Sequence, residues 1–272
     1  MIPNTYPNTT TLEAKIITNK NSKNMNEVTL TKMKQMKLYG MHGAFRTAIE
    51  TGKTNDYTLD QFVSMLTDAE WDDKNNRKIA RLIKNARFHY KSSIENIVYD
   101  PSRNIDQNTM LRLAECEFID KAENILITGS TGVGKSYIAT AIGYQACING
   151  YRVMYHNMTK LFSKLKMAKA DGSYLKELSK IERHQLVILD DFGLQPLDSQ
   201  NRIALLEIIE DRHNKGSLLV TSQIPIKGWY EIIGEKTIAD AILDRLIHQS
   251  HRVELSGESM RKKRSNVNME KM

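Results

Sequence analysis

The sequence predicts an α/β protein, a five-stranded parallel sheet flanked by helices, with a small all-α module in front of it. Three observations carry this. After residue 100, short apolar runs of strand length alternate with segments of helical period. The first of those runs feeds a glycine-rich turn that opens directly into a helical segment. Before residue 100, no proline interrupts the chain between Pro7 and Pro101, and apolar residues recur at spacings of three to four.

Residues 1–25 read as a polar tail: they are rich in Asn, Thr and Lys, too polar to pack, and are expected to be disordered. Met25 opens the first stretch with helical period, which leaves Met1 and Met25 as alternative native starts. Leu30, Met33, Met41, Ala44, Phe45, Ala48 and Ile49 predict one helix from Leu30 to Ile49, stopped by Gly52. A second begins at Thr58, where Thr58 and Gln61 have capping-box spacing and Tyr57 can staple onto Phe62. It is expected to run through Ala86 with a bend or break near Asp72-Asp73, since Ile79, Leu82, Ile83 and Ala86 keep one apolar face. Its other face carries Lys74, Arg77, Lys78, Arg81, Lys84, Arg87 and Lys91 with no intervening acid, which fits a solvated face and a nucleic-acid contact equally.

At Tyr99-Asp100-Pro101 the pattern changes, so the chain divides into a helical DNA- or partner-binding module over 26–98, an α/β domain over 99–265 and a tail over 266–272. Strands are predicted at 124–128, 151–155, 186–190, 217–221 and 251–255, with helices after the first four. The chain of 272 residues carries 39 Lys+Arg against 32 Asp+Glu, a net charge of +7, which permits a polyanionic partner. Two cysteines, Cys116 and Cys147, exclude a disulfide scaffold, lack metal-ligand spacing and read as small core residues of a cytoplasmic protein. No apolar run approaches the ~18–20 residues needed to span a bilayer, and no export signal opens the chain.

The first strand leads into Gly129-Ser130-Thr131-Gly132-Val133-Gly134-Lys135-Ser136, and Tyr137 to Cys147 then reads as a helix. This is GxxxxGKS in its strand–loop–helix context: the glycines let successive N–H groups face phosphate oxygens, and the helix N-terminus adds partial positive charge. Lys135 neutralises the terminal phosphates, and the Ser136 hydroxyl is offered to Mg²⁺. The metal needs a carboxylate as well. Leu186-Val187-Ile188-Leu189 places Asp190 at the carboxyl edge of what is expected to be the adjacent strand, and Asp191 follows as a base for the attacking water or, alternatively, as a cap for the turn at Phe192-Gly193. Ser222 and Gln223 follow the fourth strand, where either can position that water. Arg245, in the helix-like stretch Ile238 to Ile247, and Arg261, which opens Arg261-Lys262-Lys263-Arg264, are candidates for stabilising γ-phosphate charge, one of them from a neighbouring subunit; taken alone, each reads as a surface residue.

From Met25 to Lys263 the sequence resembles the IstB-like ATPases, transposition helpers of bacterial insertion sequences in the DnaA/DnaC branch of the AAA+ superfamily. The residues that carry this are Ala86-Arg87-Phe88, Asn124 to Gly129, Gly132-Val133-Gly134-Lys135-Ser136, Gly150-Tyr151-Arg152-Val153, Leu189-Asp190-Asp191-Phe192-Gly193, Val220-Thr221-Ser222-Gln223, Leu243-Asp244-Arg245-Leu246 and Gly257-Glu258-Ser259-Met260-Arg261. The resemblance implies a P-loop AAA+ core binding ATP and Mg²⁺, and a homo-oligomer, filament or ring, that deforms duplex DNA and works with a cognate transposase. It implies that Lys135 and Ser136 are the Walker-A pair, Asp190 the Mg²⁺ acid, Asp191 the catalytic acid, Ser222-Gln223 the sensor-1 position, Arg245 the trans-acting finger and Arg261 the sensor-2 arginine. Many relatives have Glu where Asp191 stands, so slow hydrolysis is expected. The DNA-facing insertion of this branch matches Met158 to Ile181, which carries Lys160, Lys164, Lys166, Lys169, Lys176 and Lys180 against Asp171 and Glu177. The rival readings are a DnaC-like replicative helicase loader, which needs a helicase-docking segment, and a small-molecule kinase, which leaves the double acid and Arg245 unexplained.

Overall fold

The computed structural model describes residues 25–260; the polar tail 1–24, Arg261 and the rest of the C-terminal residues lie outside them. The described residues fall into two compact units, one ending at Lys78 and one beginning at Ile79.

In the first unit, the single helix expected over 30–49 is two, α1 (25–35) and α2 (Tyr39–Glu50). The chain turns at Lys37, which adopts φ 60° although it is not glycine. Leu38 N–H donates to the Met33 carbonyl at 2.8 Å and Lys37 N–H to Lys34 at 3.0 Å, the bond pattern of a Schellman stop. The turn is held from a distance. The Glu70 carboxylate of α3 (Leu59–Ala86) accepts the Gly40 and Met41 N–H groups at 2.9 and 3.2 Å, capping α2, and Gly40 lies so close that a Cβ there would be 2.1 Å from the Ala69 oxygen.

The start of α3 is as expected: Thr58 N–H donates to Gln61 Oε1 at 3.0 Å, Gln61 N–H donates to Thr58 Oγ1 at 3.3 Å, and the Tyr57 and Phe62 rings stand 6.3 Å apart. The break expected near Asp72-Asp73 is absent; α3 runs without interruption for 28 residues. Nothing there removes a backbone donor, and the charges compensate one turn apart: Arg77 pairs with Asp73 at 2.6 Å, and Lys74 and Arg77 reach Glu70 at 3.4 and 3.8 Å. The basic run therefore begins on residues already paired with the preceding turn, whereas Lys78, Arg81 and Lys84 are exposed.

The second unit is built on β1 (Asn124–Gly129), β2 (Val153–Asn157), β3 (Leu186–Phe192), β4 (Ser217–Ser222) and β5 (Ser250–Leu255), all parallel, in the order β2-β3-β4-β1-β5. β2 begins two residues later than expected. β3 is not beside β1: β4 lies between them, a register that apolar runs alone do not encode. Strand side chains alternate between two cores. Ile125, Ile127, Leu186 and Ile188 face α6 (Lys135–Ile148), α4 (Gln107–Ala114) and α5 (Glu117–Asp120). Leu126, Val187 and Leu189 face α7 (Met158–Ala170), α8 (Tyr174–Glu182), α9 (Ser199–Arg212), α10 (Trp229–Ile233) and α11 (Lys236–Ile247). Ala86, Ile94 and Ile97 are buried in the first core, with Leu82, Ile83 and Phe88 packed on it. That is why the compact unit starts at Ile79, although composition changes only near residue 100. Among the described residues no helix is long and apolar enough to cross a membrane.

Candidate nucleotide-binding site

The carboxyl ends of β1, β3 and β4, with β2 beside them, meet at a cavity of about 740 Å³. Ligands of open parallel sheets collect at this edge, because helix N-termini and strand-end loops converge there. Its floor is the loop from Gly129 to Ser136. Gly132 and Gly134 take φ 85° and 103°, conformations a side chain resists, and so let the loop curl round a space for anions. Lys135 is buried at the start of α6 and donates from Nζ to the Ser130 carbonyl at 2.8 Å, across the mouth of the loop. Thr131 Oγ1 donates to Gln223 Oε1 at 2.7 Å, which fixes the loop's tip to the end of β4. Tyr137 also lines the cavity.

Opposite the loop stand the acids. Asp190 is 2% exposed and accepts hydroxyl donors on both oxygens. Ser136 Oγ donates to Oδ1 at 2.9 Å, Thr221 Oγ1 donates to the same oxygen, and the Tyr155 hydroxyl donates to Oδ2 at 2.5 Å. Burial and this carboxylate together push the Tyr155 phenol well above its ordinary pKa, so it remains a donor. Although β4 separates their strands, Ser136 and Asp190 present hydroxyl and carboxylate oxygens to one point, the donor chemistry a hard divalent cation takes.

Asp191 has φ 64°, where the β3–β4 register slips between Leu189 and Phe192. Its N–H donates to Thr221 Oγ1 at 3.1 Å, and its Oδ2 accepts from Asn157 Nδ2 at 2.9 Å. The slip turns the side chain to the cavity wall, where Asn157 at the end of β2 orients it. His156, next to it, is pushed down to about 4 by burial, with Lys164 adding to the effect.

Of the other predicted residues, Gln223 lines the cavity and Ser222 does not. Ser222 is fully buried, donates to the Phe192 carbonyl at 2.8 Å and accepts the Ile224 N–H at 3.1 Å, closing the turn behind the acids. Arg245 lies at the far end of β1 from Gly129: Asn124 Nδ2 donates to its carbonyl at 3.1 Å. Its guanidinium pairs with Glu210 at 3.4 Å and lines a second cavity of about 270 Å³ with Arg212. Arg212 is itself buried and donates to the carbonyls of Ile181, His184, Gln185 and Ser217. Arg261 is outside the described residues; the last of these, Met260, donates its N–H to the Gly132 carbonyl at 2.9 Å. Lys160 lines the cavity; Lys164 pairs with Glu177, Lys169 stands over the Tyr174 ring, and Lys166 is exposed. Sequence reasoning missed Tyr155, Asn157 and Thr221. Their only signal is strand order, since Asn157 is the register partner of Asp190.

The sequence signature described as IstB-like ATP binding protein matches residues 31–268. An insertion sequence ATP-binding protein of Sinorhizobium fredii, y4pL, is 40% identical over 86% of this chain and 96% of its own. The insertion sequence IS21 ATP-binding protein of Pseudomonas aeruginosa is 28% identical over 87% and 88%. Among solved structures, DnaI matches with a TM-score of 0.54 at 20% identity, covering 65% of this chain and 94% of its own. AMPPCP-bound DnaA of Aquifex aeolicus matches at 0.54 and 17% identity, over 68% and 57%, which shows a shared fold. With the phosphate loop, the paired acids and the β2-β3-β4-β1-β5 sheet, these matches show that the chain belongs to the IstB-like ATP-binding proteins of insertion sequences, P-loop ATPases.

Proposed function

We propose that this ATPase uses Mg²⁺·ATP to assemble on duplex DNA, deform it, and recruit or stimulate the transposase of its own element. The observation that carries the chemistry is the pairing of Ser136 with Asp190 at 2.9 Å across the phosphate loop. Those two oxygens would hold Mg²⁺, which supplies charge neutralisation at the phosphates. Lys135 binds the phosphate groups, Asp191 polarises the attacking water, and Gln223 orients it from the end of β4. Arg245 cannot serve its own chain's nucleotide from the opposite end of β1, which supports a role as a finger offered to a neighbouring copy in a ring or filament. Arg261 would then complete the site as sensor 2. The exposed cations Lys78, Arg81 and Lys84 of α3, with Lys74 and Arg77, and Lys160, Lys164, Lys166 and Lys169 of α7, would contact phosphates rather than bases, so binding would be strongly salt-dependent and indifferent to sequence.

The test is ATP turnover together with light scattering, with and without duplex DNA, for the native protein and for Arg245→Ala. Duplex is expected to raise both turnover and mass. Arg245→Ala should bind ATP normally and lose the stimulated turnover by about 100-fold or more. Stimulation by a replicative helicase and none by duplex would instead establish a helicase loader.

A further inference from the structure

Beside the phosphate loop, at the wall of the same cavity, stands a charged side chain that no motif marks. Arg103 ends a short turn, Pro101–Arg103, whose Asp100 carboxylate accepts the Ser102 N–H at 3.0 Å. It is 5% exposed. One Nη donates to the Val98 carbonyl at 2.5 Å and the other to the Val133 carbonyl at 2.7 Å, while the Nε–H is buried without an acceptor. Burying a cation is costly, and the cost shows as a lowered guanidinium pKa that Asp100 partly restores. Only a planar fork reaches two carbonyls on separate segments, which accounts for arginine here in place of a neutral amide or a lysine.

The second of those carbonyls belongs to the phosphate loop. A trans peptide is planar, so its C=O and N–H point in opposite directions. Val133 lies between Gly132 and Gly134, both at positive φ, where a peptide can rotate at little steric cost. With the Val133 carbonyl held by Arg103, the Gly134 N–H is held pointing the opposite way. The preceding peptide is fixed in the same sense, because the Gly132 carbonyl accepts from Met260 N–H. The approach is close enough that a Cβ on Gly134 would be 2.8 Å from Arg103 Nη2. The two clamps are also joined: Ser256 N–H donates to the Arg103 carbonyl at 3.0 Å, and Ser256 Oγ donates to Ser102 O at 2.8 Å.

We propose that Arg103 is a positioning residue of the ATPase, locking the Val133–Gly134 peptide with its N–H toward the phosphates of the bound nucleotide. Without the lock the peptide rotates, and a carbonyl oxygen faces the anion in place of a donor.

The test compares full-length Arg103→Met and Arg103→Lys with the native protein, using the shift in unfolding midpoint with ATP, ADP and adenosine, which registers even weak ligands at millimolar concentration. Adenosine carries no phosphate and reports the integrity of the rest of the site. Arg103→Met is expected to weaken ATP and ADP by roughly tenfold, about 1.4 kcal/mol, with adenosine unchanged. Arg103→Lys, which keeps the charge but reaches one carbonyl only, should fall between. An unchanged ratio of ATP to adenosine affinity in either folded variant overturns the proposal; if Arg103→Met does not fold, the ratio in Arg103→Lys decides.

Discussion

Glu70 in the helical unit and Asp190 in the sheet unit are both buried carboxylates, 4% and 2% exposed, yet they are satisfied in different ways. Glu70 accepts two backbone N–H groups at the start of α2 and has Lys74 and Arg77 within 4 Å. Its charge is answered within its own unit, and its work is to pin one helix to another. Asp190 accepts from the hydroxyls of Ser136, Thr221 and Tyr155. Neutral donors orient a carboxylate without cancelling its charge, so Asp190 presents a negative field to the cavity, where the proposed Mg²⁺ would sit. Burial does not distinguish a structural acid from a working one; the kind of donor around it does.

The largest effect should come from Asp190→Asn, which keeps the shape and removes the charge. ATP turnover is expected to fall about 100-fold or more, with little change in thermal unfolding. If turnover survives, the hydroxyls rather than the charge are what the site uses, and the comparison breaks. Glu70→Gln should show the reverse. Losing a charge that two cations and two amides share is expected to cost about 2–4 kcal/mol in the helical unit, read as faster hydrogen exchange at the Gly40 and Met41 amides, with basal ATP turnover unchanged. The smallest effect concerns His156, beside Asn157. Its folded pKa, about 4, lies below the unfolded value of 6.5, so the unfolded chain takes up the proton first. The corresponding stability is complete above pH 6.5 and is lost as pH falls toward 4. His156→Gln should flatten that slope in urea titrations, and an unaltered slope would mean the imidazole is hydrated in the fold.

The parts legible in the sequence are those that neighbouring residues determine. Five apolar runs gave five strands, the glycine spacing gave the loop, and Thr58 with Gln61 gave the α3 cap. Most of the errors share a cause, contacts between residues far apart in the chain. The stop at Lys37 depends on a cap supplied by Glu70, 30 residues beyond Gly40. Asp190 reads locally as an acid at a strand end, but that β4 separates its strand from β1 is fixed by crossovers and not by any local pattern. For the same reason Tyr155, Asn157 and Thr221 carry no local signal: each meets its acid from a neighbouring strand, 30 to 35 residues away. At Asp72-Asp73 two consecutive acids looked like an interruption, but charge without glycine or proline does not stop a helix whose next turn carries Lys74 and Arg77.

The bond from Met260 to Gly132 has a practical consequence for anyone handling this protein. A truncation placed just after β5 would remove a strut of the nucleotide pocket while leaving the sheet whole. Affinity tags and fusions belong at the other terminus. A fluorophore attached near residue 260, conversely, would sit within reach of the loop and serve as a built-in gauge of nucleotide occupancy.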